Sequence, residues 1–248
     1  MNERVYIHEF IDIIGHNRAN YMHHITANWS PIGQQERGQL CFGVFGTVGS
    51  TRIWPEVVNI WEHTSWAGLA DAFEHEFSHP TLQDPALAEW WAEAQNFRSR
   101  GLDRILVAAP WTRSIEELCA DGVTGVAYAH ELVKVRAGTA TDYLDAVRDV
   151  AVDAYRDRGL ELAGAWRTAM CGEREVIVMW AIPDWRTWGQ FEADQLRAPE
   201  LVDWTRVTEP FVEQLDRFLL VDAPLSPLRT GRQPAVEDRA TYQLPTRP

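Results

Sequence analysis

HEFIDIIGHNRANYMHHI, residues 8–25, aligns without a gap on HELVKVRAGTATDYLDAV, residues 130–147. His8 falls on His130, Glu9 on Glu131 and Tyr21 on Tyr143. Further on, VVNIWEHTSWAGL (57–69) falls on VIVMWAIPDWRTW (176–188), which sets Trp61 on Trp180 and Trp66 on Trp185. The second copy is shorter in between, near Gly49 and Gly172, and turns are where such indels are tolerated. A pattern written twice predicts two like units.

Each copy reads as β-α-β-β-α-β. A strand (4–13; 125–135) precedes a helix (16–29; 138–158), and a hairpin follows (39–47 with 53–61; 161–169 with 174–181). Next comes a helix opened by Ser65 or Asp184 as N-cap, then a shorter helix (85–98; 200–215) and a last strand (102–109; 216–221). This is the ferredoxin-like order, with helices on one face of a sheet whose other face needs a cover. A second copy in the same chain supplies it. The expected fold is therefore α+β: two tandem ferredoxin-like repeats closing one intrachain barrel. Residues 1–110 form the first repeat, 111–124 a linker, 125–221 the second repeat and 222–248 a proline-rich extended tail. Composition gives that tail as an arm or a disordered segment.

The opening strands (VYIHEF, VAYAHEL), the turn after the third strand (NIWEHTSW) and the helix that starts after a D-P step (QDPALAEWW) resemble the NIPSNAP family, of the dimeric α+β barrel superfamily. The resemblance spans about 4–110 and, more loosely, 125–221. It implies a fold and a pocket rather than one reaction. The second copy departs from it, with Ala181 and Ile182 where the first has Glu62 and His63.

Composition removes several classes of function. The formal charge of −13 argues against nucleic acid and against anionic membrane surfaces, since both need clustered Lys and Arg. No apolar run approaches the roughly 20 residues of a membrane span. The start, MNERVYIHEF, runs directly into a strand pattern rather than a signal peptide. Cys41, Cys119 and Cys171 have no metal-ligand or disulfide spacing, which reads as a reduced, cytoplasmic protein. Glycine-rich phosphate loops and nucleophile elbows are absent.

FEHEFSHP (73–80) spells the H-E-x-x-H order of zinc peptidases through His75, Glu76 and His79. The apolar stripe Trp66, Leu69, Phe73 and Phe77 turns both histidines toward solvent, and Pro80 stops the helix at the second. The sister copy reads DQLRAP, with none of the ligands. No metal site is expected. By the same rotation, His16, His23 and His24 read as surface residues, and Trp66, Trp185 and Trp188 as packing.

Alternation puts Val5, Ile7, Ile11 and Ile13 under the helices and Tyr6, His8, Phe10 and Asp12 inside the barrel; Tyr128, His130 and Leu132 are their counterparts. Both copies thus carry a Tyr and a His two residues apart on the interior face. Glu9 and Glu131 fall on the helix side, where a structural partner accounts for a carboxylate. If Asn59 and Trp61, with Trp180, face inward, they and Phe10 would wall a pocket for a flat ligand. The function expected is a cofactor-independent enzyme acting on a small apolar or aromatic metabolite inside the barrel. His8 and His130 would transfer protons, and Tyr6 and Tyr128 would donate hydrogen bonds, in isomerase, cyclase, lyase or monooxygenase chemistry. Two alternatives stand beside it: a non-catalytic binding or assembly barrel, in which the His–Tyr pairs only seal the core, and haem binding through His8 or His130. A homo-oligomer is left open.

Overall fold

The computed structural model describes residues 1–239, and the last part of the expected tail lies outside the described residues. The first repeat comprises β1 (Val5–Ile13), α1 (Arg18–His23), a π-helical stretch (His24–Trp29), α2 (Ser30–Arg37), β2 (Leu40–Thr47), β3 (Glu56–His63), α3 (Trp66–Phe77), α4 (Pro85–Ala94) and β4 (Arg98–Ala108). A short helix, α5 (Ile115–Ala120), lies between the repeats. The second has β5 (Ala127–Val135), α6 (Ala140–Ala146), another π-helical stretch (Val147–Ala151), α7 (Val152–Arg156), β6 (Glu161–Thr168), β7 (Glu175–Ile182), α8 (Trp185–Asp194), α9 (Pro199–Thr208) and β8 (Val212–Asp222); α10 (Pro227–Thr230) follows. Ser65 caps α3 by accepting from the Gly68 N–H at 3.3 Å, and Asp184 caps α8 from the Arg186 and Thr187 N–H groups at 2.9 Å.

Among the described residues the strands close one barrel in the order β1-β3-β2-β8-β5-β7-β6-β4, with β4 returning to β1. The repeats meet at two antiparallel joints, β2 with β8 (Phe45 opposite Asp222) and β4 with β6 (Ala108 opposite Trp166). The fold is the expected tandem α+β barrel. Each repeat packs its helices on the outer face of its own half, while the inner faces share one core. That core is dense with rings: Tyr6, Phe42 and Trp166 make edge contacts at centroid distances of 5.3–5.8 Å.

Both sides of this core are closed. On the Tyr6 side, Glu62 accepts from the Tyr6 hydroxyl and from the Ile115 N–H of α5, each at 2.9 Å, and pairs with Arg4 at 2.7 Å. On the Phe10 side, the Arg52 guanidinium lies between the rings of Phe10 and Phe218 at 4.4 and 4.5 Å and pairs with Glu56. Arg104 closes the same side, bonded to Glu175 at 2.8 Å.

Several local expectations change. The first helix continues past Trp29 to Arg37, with Pro31 directly after the π-helical stretch that interrupts its regular hydrogen bonding. His24 is buried, stacked on Trp90 at 5.1 Å. Trp66 and Trp185 are about half exposed rather than packed, because α3 and α8 touch their sheet with only part of their apolar stripes. The first stretch of the tail is an ordered arm. The Gln233 side chain bonds both the N–H and the carbonyl of Cys41 on β2, and Leu228 enters the barrel core.

Candidate active site

The residues expected to be catalytic converge, but inside a filled core. His8 and His130 are fully buried and meet Nε2 to Nε2 at 2.9 Å. Burial lowers both imidazoles, His130 to about 3, with the charges of Arg52 and Arg104 acting on both and His130 acting on His8 as further causes. Both rings are therefore neutral, one donating and the other accepting. The Tyr6 and Tyr128 hydroxyls are held by Glu62 and Asp222, and burial beside those carboxylates raises both phenols. Phe10 packs against His8 and Phe218. None of these five lines the cavity that lies between the first repeat's sheet and its helices. The expected haem ligands, His8 and His130, are likewise enclosed and do not fit that role.

Asn59, Trp61 and Trp180 point the other way from the expectation. Asn59 stands opposite Glu9 in the β1–β3 register, and antiparallel partners share a face, so it belongs to the helix side. There the Asn59 amide donates to Glu9 Oε2 at 2.8 Å and to the Tyr21 hydroxyl oxygen at 2.9 Å, while the Trp61 indole donates to the same Glu9 oxygen at 3.0 Å. Glu9 forms part of the floor of a cavity of about 620 Å³ between the first repeat's sheet and its helices. Trp29, Trp61, Trp90 and Trp91 supply apolar walls, and Phe73 and Phe77 of α3 line it too. This is an ordinary size and lining for a small-molecule site.

Asp103 lies opposite Glu9 in the β1–β4 register, nearer solvent, and Arg98 stacks 4.6 Å above the Trp91 ring. Burial, and then the charge of Asp103, raise the Glu9 carboxyl above its ordinary value; the bonds from Asn59 and Trp61 and the charge of Arg98 oppose this. Burial also raises Asp103, against the pull of Arg98. Two neighbouring carboxyls with raised proton affinity can share and pass a proton, a common arrangement for acid–base chemistry.

The second repeat shows the same carboxylate in an inert setting. Glu131 accepts from the Trp180 indole at 3.3 Å, as Glu9 does from Trp61. Its partner on the neighbouring strand is Arg217, not an acid, at 2.7 Å. Tyr155 and Phe191 fill the space above, with Tyr155 4.4 Å from the Trp180 ring and 4.8 Å from Phe191. The Trp66–Trp185 alignment puts Ala72 at the position of Phe191. The first repeat's cavity is lined by Ala72, where a ring is missing, and by Asp103, where an acid replaces the arginine.

The H-E-x-x-H stretch does not form a site. Helix α3 ends at Phe77, before His79, and Glu76 is bonded to Arg37 at 2.9 Å. Among the described residues, Glu36, His75 and Asp84 lie close enough to share a cation. Asp84 is already committed, as the N-cap of α4 and as a partner of Arg37.

No protein-family model matches the chain, and no curated protein does. Solved structures do. An anthrone oxidase-like protein matches over 89% of this chain and 91% of its own at 12% identity, with a TM-score of 0.61. A candidate monooxygenase from Lactobacillus acidophilus NCFM matches over 89% and 94% at 11% identity, with a TM-score of 0.59. A NIPSNAP family protein from Agrobacterium tumefaciens is also similar, over 42% of this chain and 94% of its own at 18% identity, with a TM-score of 0.38. The two long matches show that whole chains of this length adopt the same α+β barrel. No helix among the described residues is long and apolar enough to cross a membrane.

Proposed function

We propose that the chain is a small-molecule enzyme whose active site is the cavity of the first repeat, with Glu9 as the base. One observation carries this reading. The same buried carboxylate is neutralised by Arg217 and covered by Tyr155 and Phe191 in one repeat, and stands beside Asp103 under open space in the other. Asn59 and Trp61 fix the Glu9 oxygen, and the aromatic walls suit a flat, mostly apolar substrate. Glu9 takes a proton from a weakly acidic C–H or O–H, Asp103 shares it, and Arg98 offsets the negative charge left on the substrate. Proton removal is a shared first step of the isomerase, cyclase, lyase and monooxygenase chemistries. The names of the two long structural matches favour oxidation of an activated aromatic, in which the deprotonated substrate passes its electrons to molecular oxygen as the co-substrate. In this reading the reaction needs no cofactor, and the three free cysteines are in keeping with a reducing compartment such as the cytoplasm.

Exchange of the acidic methylene hydrogens of anthrone with D₂O, followed by NMR, tests the base directly. The wild-type chain accelerates exchange, and Glu9→Gln loses about 10²–10⁴-fold of that acceleration while keeping its fold. A Glu9→Gln protein as active as wild type, with activity lost instead in His8→Ala, would return the chemistry to the barrel core.

A further inference from the structure

His63 is four residues from Asn59 on β3, so it shares the Asn59 face and lines the same cavity. It is 1% exposed, and neither ring nitrogen has a protein hydrogen-bond partner. A buried imidazole left in this state destabilises a fold. The second repeat carries Ile182 at this place, fully buried and apolar, so the sheet itself has no need of an imidazole here. The polar residue occurs only in the repeat that has the cavity.

Its surroundings specify what it can hold. Arg37 lies nearby but is engaged by Glu76 and Asp84, leaving those two acids as the surplus charge of this end. An anionic group is therefore disfavoured. Burial and the Arg37 charge lower His63 to about 4, so the ring is neutral and offers one donor and one acceptor. That pair matches a hydroxyl, or a carbonyl oxygen on the donor alone.

Four residues of strand separate His63 from Asn59, and hence from Glu9, by about 13 Å, with Trp61 midway. We propose that His63 is the second polar contact of the cavity. It holds a neutral hydroxyl or carbonyl at the far end of an elongated flat ligand whose near end reaches Glu9. This rests on the cavity being the substrate site. It adds a length and a second functional group to the substrate class: an apolar ring system with oxygen at both ends.

The probes are 4,4′-dihydroxybiphenyl, with hydroxyls at both ends of a two-ring axis, and 4-hydroxybiphenyl, which lacks one of them. Binding is read by protein fluorescence quenching, and thermal unfolding is followed in parallel. The wild-type chain binds the diol about tenfold more tightly than the mono-ol, the worth of one added hydrogen bond. His63→Phe abolishes that preference and does not lower the unfolding temperature. His63→Gln, which keeps a donor and an acceptor, retains part of the preference. Glu9→Gln weakens both probes. A diol preference that survives in His63→Phe while Glu9→Gln weakens binding overturns the role of His63 and leaves the cavity reading standing. Failure of both probes to bind the wild-type chain overturns both.

Discussion

His8 and His130, equivalent residues of the two repeats, join Nε2 to Nε2 at 2.9 Å inside the barrel. The pair is a structural seam, and its effect is on stability. Burial holds His130 at about 3 and His8 also well down, whereas an unfolded histidine titrates near 6.5. Between those values the unfolded chain binds protons that the folded chain refuses, so stability falls as pH drops below about 6.5. Each imidazole contributes up to about 1.4 kcal/mol per pH unit in that window. Urea midpoints at pH 7 and pH 5 should therefore fall further for wild type than for His8→Leu/His130→Leu, which should keep its catalytic activity. Equal falls in the two proteins would contradict the assignment.

Arg217 is the counterpart test in the second repeat. It pairs with Glu131, which is 2% exposed, and packs its guanidinium 5.3 Å from Phe191. Arg217→Ala leaves a buried carboxylate without its cation and should cost about 3–5 kcal/mol, read by denaturant unfolding. Probe binding in the first-repeat cavity should be unchanged. Glu131→Gln with Arg217→Ala should recover part of the loss, because no uncompensated charge remains.

Much of this architecture was legible in the sequence. The repeat gave the strand order, the Ser65 and Asp184 caps followed from helix-start chemistry, and the period of two put Tyr6 and His8 inside. The face of Asn59 was not legible, because β3 carries polar residues on both sides, Asn59 and His63 on one and Glu56 and Glu62 on the other, so its alternation has no polar side. Pairing Asn59 with Glu9 across β1–β3 would have settled it. The filling of the barrel was hidden as well. Arg52 comes from the loop before β3, where no periodicity points it between Phe10 and Phe218. The cavity did leave a trace, in positions where the repeats differ: Ala72 against Phe191 and Asp103 against Arg217. The strongest internal likeness led to His8 and His130, which the fold buries against each other in its core; the proposed chemistry lies where the copies diverge.

Those differences can be exchanged. Ala72 is buried on the inner side of α3 and lines the cavity, so Ala72→Phe puts back the ring that Phe191 provides in α8. Filling a cavity with apolar atoms should leave stability unchanged or raise it by about 1 kcal/mol, since α3 has room to receive the ring. Binding of 4-hydroxybiphenyl should weaken at least tenfold. Full retention of binding would mean that the ligand sits elsewhere.

Asp103→Arg installs in the first repeat the residue that β8 already carries. In wild type, burial raises both Glu9 and Asp103. The folded chain thus keeps protons that the unfolded chain releases, and stability is lost as pH rises from the ordinary carboxylate range through the raised values. An arginine opposite Glu9 reverses the sign, because it favours the carboxylate. Its stabilisation is present above the unfolded carboxylate value and is lost as pH falls through the lowered one. The variant should gain about 1 kcal/mol over wild type at pH 7, discounted for the open position of residue 103, and no gain at pH 4. Its proton-exchange activity should be lost, because a carboxylate locked in an ion pair is a poor base. Unfolding midpoints at the two pH values, with the anthrone exchange rate on the same preparations, separate the outcomes. A stabilised but inactive protein supports the view that one arginine distinguishes the structural carboxylate from the reactive one. A stabilised protein with wild-type exchange would show that Glu9 is not the base.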